Sequence, residues 1–315
     1  MYDARTRTTM QAQRALLPND RWHFQHGPID IVIGANGDAR AVAMAHAAAW
    51  RRFESVLQEL VAELPALRVP VRDECPLHGA IATRMWRACH PYRSQFITPM
   101  AAVAGSVAQE LIACYERAGV ERAWVNNGGD IALHLAAGAS VKVGLFADLS
   151  RFSPNAESSI AIDADFQIDT RMPVRGVATS GWRGRSFSLG IADSVTVLAR
   201  TASMADAAAT VIANAVNVED ARIDRRPASQ LKDDSDLGDM LVTVDVPPLP
   251  EALVQRALQA GLLRARALQH AGLIHSAILV CQHRHASAQP DAATSASTGR
   301  ATDALSRPAV GSVFA

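Results

Sequence analysis

The sequence predicts an α+β fold, a layered arrangement of mostly antiparallel sheets against which helices rich in small residues pack. Three observations carry that reading. Short apolar runs separated by turn residues fill the middle of the chain, the pattern of successive hairpins. Helical stretches cluster between those runs instead of alternating with them one for one, which disfavours a parallel βαβ sheet. Two helical stretches, 99–117 and 203–214, are dense in Ala with interspersed Gly and Ser, a composition that lets helices approach neighbouring backbone closely.

Residues 1–19 are charged and polar without an apolar segment, so they read as a disordered N-terminus and not as a secretory signal. Ile29-Asp30-Ile31-Val32-Ile33 is a short strand, closed by the turn signal Asn36-Gly37-Asp38. Trp50, Phe53, Val56, Leu57, Leu60 and Val61 recur at helical spacing and place an amphipathic helix over 40–64. Thr98-Pro99 opens the next helix with a hydroxyl cap and a first-turn proline, and Gly119 ends it. Residues 122–126 and 130–135 flank Asn127-Gly128-Gly129 as a hairpin, and strands follow over 140–147, 158–163 and 194–199. A helix over 203–214, a strand from Leu241, a helix over 250–270 and an apolar strand over 274–281 complete the set. Beyond it, Ala, Ser, Thr, Gln and Pro run without a period. The expected division is a disordered 1–19, one folded α+β domain over 20–285 and a disordered tail over 286–315.

Composition narrows the function. The chain of 315 residues is 49% hydrophobic, enough for a sizeable core. Its 31 basic and 31 acidic residues cancel, so no overall field favours nucleic acid or an anionic membrane. No run of apolar residues is long enough to span a bilayer. Cys75, Cys89, Cys114 and Cys281 lack paired short spacing, which argues against a zinc site or a disulfide framework. A cytoplasmic setting is the expectation. No Gly-x-Ser-x-Gly elbow, phosphate loop of the Walker type or dinucleotide glycine fingerprint is present.

The chemistry concentrates on the 203–214 helix. Asp206, Thr210 and Asn214 recur every fourth residue, which stacks three oxygen-bearing side chains on one face. Hard oxygen donors of this kind suit Mg²⁺ shared with a substrate phosphate. Ser203 with Asp206 also fits a capping box, which would use neither Thr210 nor Asn214. Gly176-Val177-Ala178-Thr179-Ser180-Gly181 can turn backbone amides toward an anion, with Arg183 and Arg185 following as phosphate partners, or it is an ordinary strand-to-loop junction. Asn127-Gly128-Gly129-Asp130 allows close approach of a planar ligand, or simply closes a hairpin. Gly190-Ile191-Ala192-Asp193 offers Asp193 as a second acidic group, or a solvated turn.

Four segments resemble, in their order, the ApbE-like FAD:protein FMN transferases: Asn127 to Ile131, Gly176 to Gly181, Ser194 to Val197, and Ala205 to Thr210. The segments 98–105, 190–193, 209–214 and 236–239 are similar to a UPF-type branch of that superfamily, distinct from the true flavin transferases. The resemblance implies an ApbE-like layered fold, Asp206 and Thr210 holding Mg²⁺ beside an FAD pyrophosphate, and Ala178, Thr179 and Ser180 lining the flavin or its phosphate. Together with the residue readings above, the expected ligand site also includes Asn127, Gly128, Gly129, Asp130 and Arg183, with Asp206 and Asp193 as candidate catalytic groups. The transferases carry a longer insertion with a His and an Asp-Pro where this chain has only 186–194, and a Lys-Gly helix where 99–105 has no Lys. The implied function is Mg²⁺-dependent binding, with cleavage or transfer, at a flavin-type pyrophosphate. The alternative is a non-catalytic flavin- or pterin-binding accessory protein in cofactor metabolism. The implied partner is a small nucleotide-type ligand, and the small-residue helices could also form a homodimer interface.

Overall fold

Nine strands pair side by side, each antiparallel to its neighbours, in the order β1-β2-β3-β4-β5-β8-β9-β12-β13. The computed structural model describes residues 11–145, 164–290 and 311–314. The strands of this sheet are β1 (Gln13–Leu17), β2 (Arg21–His26), β3 (Ile29–Gly37), β4 (Val120–Asn127), β5 (Asp130–Leu135), β8 (Gly176–Ser180), β9 (Ser194–Ala199), β12 (Ser276–Cys281) and β13 (Arg284–Ala288). A second sheet sets β6 (Ser140–Leu145) between β7 (Ala164–Asp169) and the parallel β14 (Gly311–Phe314). The pair β10 (Asp224–Pro227) and β11 (Leu241–Asp245) stands apart. The helices are α1 (Ala39–Ala62), α2 (Leu64–Leu67), α3 (Ala80–Cys89), α4 (Val103–Ile112), α5 (Ala202–Ala215), α6 (Ala228–Leu231) and α7 (Glu251–His270).

The fold is α+β with mostly antiparallel sheets, as expected. Alternation along each strand divides the buried side chains between two faces. On one face, Phe24, Ile31, Ile33 and Val125 pack with Phe53 of α1, Met85 of α3 and Leu111 of α4. Next to them, Ala178, Val197 and Leu279 pack against Ala205 and Ala209 of α5 and Leu258 of α7. On the other face, Ile131, Leu133, Val177 and Leu198 meet Val141, Val143 and Ile168 of the small sheet.

Several elements differ from the sequence expectation. The N-terminal stretch expected to be disordered already forms β1, because β2 supplies its ladder partner and Arg14 lies over the rings of Trp22 and Trp50. The expected C-terminal tail overlaps β13 and β14. Asp38 belongs to α1 as its N-cap, accepting from the Ala41 amide at 2.8 Å, and is not merely a turn residue. The helix opened by Thr98 starts as a 3₁₀ turn over Pro99–Ala102 and becomes α-helical at Val103. The strand expected over 158–163 and the last two residues of 140–147 lie outside the described residues. All four cysteines are free; Cys89 and Cys281 are buried.

Candidate functional site

Helix α5 is capped by Thr201, whose hydroxyl accepts from the Met204 amide at 3.3 Å. The capping box expected at Ser203 is therefore displaced by two residues: Ser203 Oγ instead donates to Gln109 Oε1 of α4 at 2.7 Å. This releases Asp206 from its own helix. Asp206 Oδ2 accepts the Gly105 amide at 2.8 Å, and the Ala104 amide also points to this carboxylate. Ala102, at the start of α4, has no side chain able to cap that helix. The acid of α5 thus satisfies the free first-turn amides of α4, where the helix dipole favours negative charge.

The close approach has a steric basis. A Cβ on Gly105 would stand 2.4 Å from the Ala202 carbonyl oxygen, and one on Gly176 would stand 2.2 Å from the Ala202 nitrogen. Glycine at 105 and 176 lets α4, β8 and the start of α5 share one small volume.

The β4–β5 hairpin enters the same volume from the sheet. Asn127 and Asp130 are directly opposed in the ladder, on the helix-covered face. Asn127 Nδ2 donates to the Ala104 carbonyl at 3.1 Å, so the hairpin and α5 both grip the first turn of α4. The turn needs glycine: Gly128 and Gly129 have φ of +67° and +107°. Asn126 Oδ1 closes it by accepting the Gly129 amide at 2.8 Å.

Asp130 is only 8% exposed. Its carboxylate accepts the Thr179 amide, yet Oδ1 is buried with no hydrogen-bond partner. Burial, and next the negative charge of Asp206, push Asp130 well above the usual carboxylate range, against the opposing pull of the Thr179 amide and Arg185. Burial likewise pushes Asp206 up to about 7, although the amides of Gly105 and Ala104 hold it back. Two neighbouring carboxylates that resist ionisation together call for a shared proton or a bound cation. The buried Cys89 thiol lies close enough to feel Asp206 and is raised by burial and by that charge.

The other expected site residues divide. Thr210 lies one turn along α5 from Asp206 and is half-buried. Ala178 is fully buried beneath α5, backbone and side chain alike. The Thr179 hydroxyl bonds with that of Thr196 at 2.9 Å, while its amide serves Asp130. Ser180 is half-buried at the end of β8. Asn214 does not extend the oxygen stripe: its Oδ1 accepts from the Leu189 amide at 2.9 Å and from Ser188 Oγ at 3.2 Å, fixing the short loop before β9. Asp193 is engaged elsewhere, accepting from the Gln282 amide at 2.5 Å and Trp182 Nε1 at 3.3 Å, with Arg183 Nε at 3.4 Å. Arg183 also lies over the Trp182 ring.

The arginine at the hairpin is instead Arg185. Its guanidinium covers Gly128 so closely that a Cβ there would stand 1.7 Å from Arg185 Nη2. Asp30, Val32, Asn126, Gly128, Gly129 and Arg185 line a cavity of about 190 Å³ at the turn. Arg183 and Arg185 are indistinguishable by residue type, and both lie in one exposed loop, so no local signal separates them. Among the described residues, no three His, Cys, Asp or Glu side chains cluster at metal-holding spacing. A cation at this site would draw on two carboxylates and the Thr210 hydroxyl. Among the described residues, no helix is long and apolar enough to cross a membrane.

The family described as AbpE bacteria matches residues 14–292. A UPF0280 protein of Methanopyrus kandleri is 37% identical over 211 residues, covering 65% of this chain and 78% of that protein. One from Methanothrix thermoacetophila is 33% identical over 63% of this chain and 82% of its own length. One from Methanothermobacter thermautotrophicus is 40% identical over 50% of this chain and 55% of its own. Among solved structures, the apo form of Pseudomonas stutzeri flavinyl transferase ApbE aligns with 90% of this chain and 97% of that one, at 13% identity and a TM-score of 0.39. The chain belongs to the AbpE bacteria family and to the UPF0280 proteins.

Proposed function

We propose that this protein binds a flavin-type dinucleotide together with Mg²⁺ at the junction of α4, α5 and the β4–β5 hairpin, and breaks its pyrophosphate bond. The observation that carries the reading is the meeting of Asp130 and Asp206 at the first turn of α4, one of them with an oxygen left unpartnered in the interior. An all-oxygen donor set suits Mg²⁺, and Asp206 and Thr210 would hold it. Such a cation offsets charge on the phosphate oxygens while a bond to phosphorus breaks. Gly128 and Gly129 allow close approach of the ligand at the turn, and the guanidinium of Arg185 beside them suits an anionic group. With water as acceptor, FAD yields FMN and AMP; with a hydroxyl acceptor, the FMN moiety is transferred and AMP released.

The test is incubation of the purified protein with FAD and Mg²⁺, followed by chromatography for FMN and AMP. Release that stops with EDTA and with Asp206→Asn is the expected result. Absence of both products across the acceptors tried, water included, counts against catalysis.

One observation favours a second reading, in which the protein holds a flavin or pterin without turning it over. The segment 186–194 has no His, its Asp193 is engaged by Trp182, Arg183 and Gln282, and Asn214 ties it down. Under that reading FAD raises the melting temperature even in EDTA, and no FMN forms.

A further inference from the structure

The carboxylate of Asp130 lies within electrostatic reach of Asp206, and its environment is unlike that of Glu110 or Asp169. Glu110 and Asp169 have their oxygens taken by arginines or amides. Glu110 receives Arg52 Nε at 2.7 Å and Arg84 Nη1 at 2.8 Å, and Asp169 receives Arg171. Asp130 has one amide, from Thr179, and leaves Oδ1 enclosed without a donor. A buried acceptor left without a partner costs on the order of 1–3 kcal/mol, and more when charged, unless something meets it.

The surroundings do not supply a donor. Asn127, the ladder partner of Asp130, has its amide nitrogen committed to the Ala104 carbonyl. The Gly105 amide is committed to Asp206 Oδ2. Arg185 sits outside, over Gly128, where it acts on Asp130 only through its charge. The Asp206 carboxylate is close enough to act on Asp130, and it repels a second negative charge there. What fits between two such carboxylates is a small hard cation.

We infer that Asp130 is a direct ligand of the cation, so that the site is a two-carboxylate centre in which Asp130 Oδ1 from the hairpin faces Asp206 from α5. This deepens the proposed function and rests on its cation site, but it assigns Asp130 to the metal and not to the nucleotide. It also gives the hairpin a role: Asn127 and Asp130, joined through the glycine turn, lock the sheet to the first turn of α4 when the metal is bound.

The test uses the full chain and Mn²⁺ alone, with no nucleotide, followed by electron paramagnetic resonance of the free ion at pH 7.5. Asp130→Asn is nearly isosteric, and Asp130→Ser provides a second neutral variant should the first fail to fold. Wild type is expected to bind Mn²⁺, and both variants to bind it about tenfold more weakly or worse. In EDTA the Asp130→Asn protein is expected to melt no lower than wild type, because a neutral amide replaces a carboxylate that burial beside Asp206 makes costly to ionise. A purely structural role for Asp130 would lower that melting point. If Asp130→Asn and Asp130→Ser keep wild-type Mn²⁺ affinity while Asp206→Asn loses it, the assignment of Asp130 is overturned and the cation site of the proposed function stands. If wild type itself binds no Mn²⁺ at millimolar concentration, both are overturned.

Discussion

Replacing Gly105 with Ala separates two effects that oppose one another. Gly105 lies in the first turn of α4, where intrinsic helix propensity favours Ala over Gly by up to about 1 kcal/mol. Against this, the new Cβ would stand 2.4 Å from the Ala202 oxygen, 2.7 Å from its carbonyl carbon and 2.9 Å from Asp206 Cβ. Two of those atoms are backbone, which cannot swing aside as a side-chain end would. Overpacking of this kind costs roughly 1–3 kcal/mol, and a backbone obstacle puts it at the upper end. The net expectation is a loss of about 2 kcal/mol. At roughly 2–4 °C per kcal/mol for a chain of this size, the melting temperature falls by about 4–8 °C. The same displacement pulls the Gly105 amide off Asp206 Oδ2, so Mn²⁺ affinity should fall with stability. Thermal and urea unfolding of the purified variant are the assays. A Gly105→Ala protein that melts at or above wild type would show that propensity dominates, and the close approach of α4 to α5 would then be no constraint on the site.

Three further outcomes follow from the same contacts. Thr201→Ala removes the cap of α5 and should cost about 1 kcal/mol in urea unfolding, with Thr201→Ser restoring most of it; equal stability of all three proteins would return the cap to Ser203. Asn214→Ala leaves the Leu189 amide without its acceptor and should destabilise the fold by about 1–3 kcal/mol, with faster hydrogen exchange at residues 188–190; unchanged exchange there would contradict the anchoring role. Burial lowers His46, which meets the Tyr115 hydroxyl at 2.7 Å, below its ordinary value of 6.5. The unfolded chain therefore takes up the proton first, so this contribution to stability is present above pH 6.5 and is lost as the pH falls through the lower folded value. His275, also lowered by burial, acts with the same sign. His46→Gln should flatten part of the loss in urea midpoint between pH 7.5 and pH 5, and an identical pH profile would refute the assignment.

The fold was legible where a period was strong. The apolar stripe of α1, the glycine turn between β4 and β5 and the apolar runs of β9 and β12 are local signals, and each lies near its expected place. The pair β1–β2 was not legible, because its strands are short and polar and are held by their ladder and by Arg14 over Trp22 and Trp50. Helix α3 was missed because two arginines and a tryptophan interrupt its apolar pattern, although Ile81, Met85 and Cys89 are buried at helical spacing.

The site divides in the same way. Asp206 stood out by its spacing with Thr210, but that its carboxylate caps a different helix depends on how α4 and α5 pack, which no local pattern records. The pairing of Asp130 with Asp206 is a tertiary contact between a hairpin and a helix remote in sequence. Asn214 shares the spacing of the stripe, yet the loop before β9 claims it.

The most direct measurement is a crystal structure grown with Mn²⁺ and recorded at an energy where manganese scatters anomalously. The expected result is one anomalous peak at the first turn of α4, within about 2–2.5 Å of carboxylate oxygens from both Asp130 and Asp206. Density showing those two carboxylates hydrogen-bonded directly to one another, with the metal elsewhere or absent, would contradict it.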